Sequence, residues 1–174
     1  MKNSNIVLLI VLISSSFLSC KKERLTKATQ NGANTFSCKI DGKVFVPKDI
    51  YSVPTTPGIL ATFDRNTKKF GLYTSEPRNE SKNGLSRNVQ IEIYDPRVGS
   101  IIVNNNTGEI VVSEYDQLDK YFRTDNILGG SIIISKLDTS AHVISGSFSF
   151  RATQTTNSNS ILQITDGRFD ITYK

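Results

Sequence analysis

From Asn34 onward, apolar and polar residues alternate with a period of two, and the runs are broken by Gly, Asn, Asp and Pro. That period sends successive side chains to opposite faces of a strand, and helical spacing is almost absent. Residues 34–40 put Phe36, Cys38 and Ile40 on one face and Thr35, Ser37 and Lys39 on the other. Asp41-Gly42 then fits a two-residue type I′ hairpin turn, in which both residues need positive φ. That register sets Cys38 opposite Phe45 and Ile40 opposite Lys43, and Pro47 ends the second strand. Residues 59–64 and 69–74 predict another hairpin around Arg65-Asn66-Thr67-Lys68. Residues 88–95 predict a strand with Val89, Ile91 and Ile93 inward and Gln90, Glu92 and Tyr94 outward. Short strands are expected at 101–103 and 109–115, separated by a turn at 104–108. Another is expected at 120–124, where the spacing of Tyr115, Leu118 and Phe122 also fits one helical turn.

The last third is the most regular. A strand over 131–137, a turn at 138–141 and a long strand over 142–152 place Ile144, Gly146, Phe148 and Phe150 inside, and Val143, Ser145, Ser147 and Ser149 outside. Residues 154–160 read as loop. Residues 160–165 and 168–173 then pair around Asp166-Gly167, with Ile164 opposite Phe169 and Leu162 opposite Ile171. Residues 51–58 and 75–87 are polar connections bearing proline. The pattern predicts an all-β domain over 34–174, an antiparallel β-sandwich or barrel of about nine or ten short strands.

The start of the chain follows a different pattern. Met1-Lys2-Asn3-Ser4-Asn5 is short and basic, Ile6 to Ile13 is unbroken apolar, and Ser14-Ser15-Ser16 leads to Phe17-Leu18-Ser19-Cys20. A membrane span needs roughly 20 apolar residues, so this run reads as a secretory signal ending at a cysteine. It resembles a bacterial lipoprotein signal, although Phe17 stands where leucine is usual. Residues 1–19 are expected to be the signal peptide, Cys20 the lipidated residue, and 20–33 a flexible tether. One acyl chain anchors only marginally, and the two or three that such a cysteine carries would hold the protein on a membrane. No Asp follows Cys20, and Lys21-Lys22-Glu23-Arg24 is compatible with an outer-membrane address and with export to its surface.

Charge narrows the function classes. The chain of 174 residues carries +5. Lys2 leaves with the signal, and Lys21, Lys22, Arg24 and Lys27 less Glu23 put +3 on the tether, so the body from Ala28 onward carries +1. A near-neutral body with no basic stripe argues against a nucleic-acid partner, whereas the basic tether suits anionic headgroups. With Cys20 acylated, Cys38 has no disulfide partner and reads as a small buried hydrophobe. His142 is the sole histidine, so no thiol–imidazole pair is expected.

Two stretches resemble an uncharacterised lipoprotein family of Bacteroidota. Asn34-Thr35-Phe36-Ser37-Cys38-Lys39-Ile40-Asp41-Gly42-Lys43-Val44-Phe45-Val46-Pro47 is similar to its opening motif, with Ser37, Asp41 and Phe45 where Gly, Asn and Trp are usual. Gly146-Ser147-Phe148-Ser149-Phe150 followed by Thr165-Asp166-Gly167-Arg168-Phe169-Asp170 is similar to its closing motif. The family is a domain of unknown function, so the resemblance implies an address and a fold class but no activity.

Candidate chemistry is sparse. No metal-ligand spacing is present: Glu114, Asp116, Asp119 and Asp125 cluster around an expected loop without calcium-loop spacing. Glu92, Glu109 and Glu114 are the candidates for a glycosidase pair, expected on an outer face where solubility alone explains them. No cofactor, metal or catalytic constellation is expected. The loops at 51–58, 75–87 and 154–160 offer a polar rim in which Tyr51 and Arg78, with Tyr94 nearby, would contact a ligand. The expected function is a membrane-anchored extracytoplasmic binding module whose ligand the residues do not name, a glycan or an envelope protein being the candidate partners. An accessory subunit held by an envelope protein is the alternative, and a carboxylate-dependent hydrolase a distant third.

Overall fold

The computed structural model describes residues 24–49, 56–76, 86–104, 106–115, 120–124 and 129–174. Among them the chain is all-β and forms eleven strands, against about nine or ten expected. β1 (Thr35–Ile40) and β2 (Lys43–Phe45) meet at the expected turn, where φ is 47° at Asp41 and 77° at Gly42, and Cys38 faces Phe45. β3 (Ile59–Asp64) and β4 (Lys69–Glu76) form the second hairpin, and β4 pairs next with β5 (Ser86–Tyr94). β6 (Gly99–Ile102) and β7 (Gly108–Tyr115) follow one another in sequence, joined by a turn in which the Asn104 carbonyl accepts from the Thr107 and Gly108 amides. They do not pair. β6 joins β9 (Gly130–Asp138), while β7 lies between β5 and β8 (Lys120–Arg123). β10 (Val143–Gln154) and β11 (Asn157–Thr172) are the longest strands.

β10 changes partners along its length. Its residues 143–150 pair with β9, whereas Thr153 and Gln154 pair with Arg123 and Phe122 of β8. One layer is therefore β6-β9-β10-β11-β1-β2 and the other is β8-β7-β5-β4-β3. The layers meet again on the far side. The Lys174 amide donates to the Ala61 carbonyl (3.3 Å), and the Lys174 carbonyl accepts from the Phe63 amide (3.0 Å). Bonds from one residue to two partners flanking a third follow the slanted parallel pattern. Strand alternation explains why: β11, β10, β8, β7, β5, β4 and β3 are odd in number, so the first and last run the same way. The ladder is an antiparallel sheet rolled until its edge touches its other end.

The enclosed core is the alternating apolar set. Phe36, Cys38 and Ile40 of β1, Phe70 and Leu72 of β4, Val89, Ile91 and Ile93 of β5, and Ile110 and Val112 of β7 join Ile132, Ile134, Ile144 and Ile164 in one buried cluster. Burying each large apolar side chain contributes roughly 1.5–3 kcal/mol. Phe148 sits at its aromatic centre, with ring centroids 5.3 Å from Phe36, 6.0 Å from Phe150 and 6.3 Å from Phe169.

Four expectations are corrected. Asp166-Gly167 is not a turn but a bulge inside β11, and only Asp166 takes positive φ (54°). Ile164 therefore lies beside Ile40 and Phe150, Phe169 beside Phe36 and Gly146, Leu162 opposite Ala152, and Ile171 opposite Ile144. The reason is ladder count: an unbroken β11 pairs with β1 on one side and β10 on the other. Residues 154–160 are mostly strand, turning only at Thr155-Thr156. Glu114 shares the inward parity of Ile110 and Val112, and it pairs there with Arg87 at 2.8 Å. The described part of the expected flexible tether, residues 24–33, is docked on the outer side of the first layer.

Asp170 docks it. One carboxylate oxygen accepts from the Thr29 hydroxyl (2.6 Å) and the Asn31 and Ala33 amides (3.1 and 3.2 Å). The other accepts from the Gly32 amide (2.8 Å) and the Ser145 hydroxyl (2.7 Å). The Thr26 amide donates to the Ser37 hydroxyl, Arg168 donates to the Thr26 carbonyl and Lys136 to the Gln30 carbonyl, each at 3.0 Å. Val143 and Ser145, expected outside, are outward-facing but covered by this segment.

Candidate functional site

The outer side of β3-β4-β5-β7-β8 carries an arrangement that core packing and solubility do not require. Inward parity takes Phe70, Leu72 and Thr74 of β4, so Lys69, Gly71 and Tyr73 face out. Tyr73 lies between Leu60 of β3 and Gln90 of β5. Its ring lies back over Gly71, where a β-carbon would stand 3.0 Å from the ring edge and 3.2 Å from the hydroxyl. Glycine is what lets the ring lie down along the sheet. In that pose the Tyr73 hydroxyl donates to Glu92 Oε1 at 3.1 Å.

Glu92 is the hub. Its Oε1 also accepts from Gln90 Nε2 (3.0 Å), and its Oε2 is 2.7 Å from Lys69 Nζ. Burial pushes the Glu92 carboxyl up, but the bond and charge of Lys69 and the bonds from Tyr73 and Gln90 outweigh it and hold the group below the usual carboxylate range. Lys69 is raised, chiefly by its bond to Glu92. Tyr73 is raised by burial and then by the Glu92 charge. Lys69 Nζ also stands 5.8 Å from the centroid of the Tyr94 ring, which is 39% exposed. On the next strand Glu109 faces Glu92, and Arg123 Nη1 neutralises it at 2.9 Å. Tyr121, also exposed, packs edge-on against Tyr115 at 6.2 Å.

This surface is chemically suited to a polyhydroxylated ligand. A carboxylate accepts about four hydrogen bonds and an ammonium donates three, so Glu92, Lys69 and the Gln90 carbonyl keep capacity after binding one another. The flat Tyr73 ring and the exposed Tyr94 ring offer apolar faces with polar edges. Their α-carbons are offset by about 13 Å along the strand direction, and the Tyr73 ring, lying back over Gly71, closes part of that distance. A depressed Glu92 suits an acceptor better than a general acid, which needs a raised pKa. Among the described residues no group of three or more His, Cys, Asp or Glu side chains could hold a metal ion.

A cleft of about 650 Å³ adjoins the platform at its β3 edge. Leu60 belongs to both, and Lys48, Asp49, Gly58, Thr172 and Lys174 are among the other residues of the cleft wall. Asp49 holds the Gly58 amide at 2.7 Å.

Of the residues expected at a ligand rim, Tyr94 stands on the platform rather than on a loop. Tyr51 and Arg78 lie outside the described residues, as does Cys20; the chain reaches Tyr51 two residues after Asp49. Asp116, Asp119 and Asp125 lie outside as well. Sequence reasoning passed over Tyr73, Gly71 and Lys69, although assigning faces within the expected strand at 69–74 would have turned all three outward. His142, expected at a strand end, takes positive φ (56°) there and stacks on Tyr173 at 5.5 Å. Cys38 is fully buried, and burial pushes its thiol far above the usual range. No family model, curated protein or solved structure matches the chain, so the reading rests on this geometry alone.

Proposed function

We propose that the protein is an envelope lipoprotein, anchored through Cys20, whose β-domain binds a glycan on the outer face of β3-β4-β5-β7-β8. The observation that carries this reading is the Tyr73 ring held back over Gly71 and tied to Glu92. A ring held in that pose is pre-organised to stack on the C–H face of a sugar, and pre-organisation lowers the cost of binding. Glu92, Gln90 and Lys69 then meet the sugar hydroxyls, and Tyr94 takes a second ring farther along.

Affinity electrophoresis tests the proposal in gels containing neutral and acidic polysaccharides. At least one polysaccharide should retard the protein. Tyr73→Ala should weaken that binding by at least tenfold and Glu92→Gln by several-fold, with little change in melting temperature. Migration unaffected by every polysaccharide, or retardation indifferent to Tyr73, would sink it.

A further inference from the structure

The opposite outer face, formed by β9, β10, β11 and β1, differs from the platform in chemistry. Ile133 and Ile102 point outward from β9 and β6 and are 49% and 70% exposed. Ile161 of β11 is 46% exposed. The same side carries Lys27, Lys136, Arg151 and Arg168. Its acids are largely committed: Asp166 pairs with Lys39 at 2.7 Å, Asp138 stands 4.0 Å from Lys136, and Asp170 is buried under five donors. A groove of about 610 Å³ runs between the docked segment and β9–β11, lined by Lys27, Ser135, Ser147 and Arg168 among others.

We propose that this face lies on the lipid surface that holds Cys20, so that the domain is oriented as well as anchored. The inference rests on the reading of Cys20 as the lipidated residue. Chain length carries it. From Cys20 to Arg24 the backbone spans at most about 14 Å, whereas a free tether over 20–33 would reach about 45 Å. A domain of this size has a radius of gyration of about 15 Å. A leash shorter than that radius, fixed to the body from Thr26 onward, cannot let the attachment face swing to the far side. The face that is kept down is the one combining exposed isoleucines with cations, which is the composition that interfacial binding to anionic lipid uses. The platform is correspondingly turned away from the bilayer, where a glycan can reach it.

The test uses the full acylated chain in vesicles of phosphatidylethanolamine and phosphatidylglycerol with brominated acyl chains. Ile133→Cys, Ile102→Cys and Leu60→Cys variants each carry an environment-sensitive fluorophore; Cys38 is buried and Cys20 is occupied by lipid. Labels at 133 and 102 should be quenched by brominated lipid at least threefold more than the label at 60, and aqueous iodide should give the reverse order. Equal quenching of the two faces on an acylated chain would overturn the docked orientation while leaving the anchor intact. Mass spectrometry of the same sample reads the anchor separately: a mature chain with no acyl group on Cys20 would remove both.

Discussion

Asp170 does for the docked segment what a row of ladder bonds does for a strand. Its side chain accepts five hydrogen bonds while the residue is 1% exposed. Burial pushes the carboxyl up, yet the donors from Thr29, Ser145, Gly32 and Ala33 prevail and set its pKa at about 2, below the ordinary 3.8. A pKa lowered on folding stabilises the fold above the unfolded value, and that stability is lost as pH falls through the folded one. The contribution is at most about 2 kcal/mol after allowance for screening, fully present above pH 5 and gone near pH 2. Asp170→Asn should therefore lower the melting temperature at pH 7 and flatten its fall between pH 5 and pH 2. An acid profile unchanged by the substitution would contradict this. None of it was legible beforehand, because Asp170 sits at an outward position of its strand and its partners lie far away in sequence. Cys38 was legible for the opposite reason: its neighbours in β1 and β2 are local, and the turn fixes them.

The two Asp-Gly pairs carry the same lesson to the scale of elements. Asp41-Gly42 folds as a turn, with both residues at positive φ, because β2 takes the edge of β1 that β11 leaves free. Asp166-Gly167 has the same local chemistry but lies where β1 and β10 both need a partner, and the longer ladder wins. Local turn signals thus decide pairing only where no distant strand does. Gly42→Ala places a β-carbon at φ 77° and should cost about 1–2 kcal/mol, read as a lower denaturant midpoint at constant slope. The same rule accounts for the platform. The alternation that gave Tyr94 its outward face gave Tyr73 the same one, but only the packed sheet reveals that Gly71 lets the ring lie down against Glu92.

For the whole molecule the decisive contact is the seam between Lys174 and β3. Tyr173 plugs it from inside, 4% exposed, with its ring 5.5 Å from both His142 and Phe63 and 6.2 Å from Phe70. Its hydroxyl finds no hydrogen-bond partner among the described residues. Tyr173→Ala should cost about 3–5 kcal/mol, and Tyr173→Phe should stay within about 0.5 kcal/mol of the parent; equal losses in thermal unfolding would refute the plug. The all-β class was open to sequence reasoning because period two is a local property. The rolled closure was not, since it depends on how many strands intervene. That closure also fixes an order of events. Thr35 waits for Asp170, and the outer edge of β3 waits for Lys174, although β3, β4, β5 and β7 pair with one another without them. Such long-range pairing folds slowly. A chain held short of β11 is left with bare strand edges at β1 and β3, and bare edges are templates for pairing with other chains.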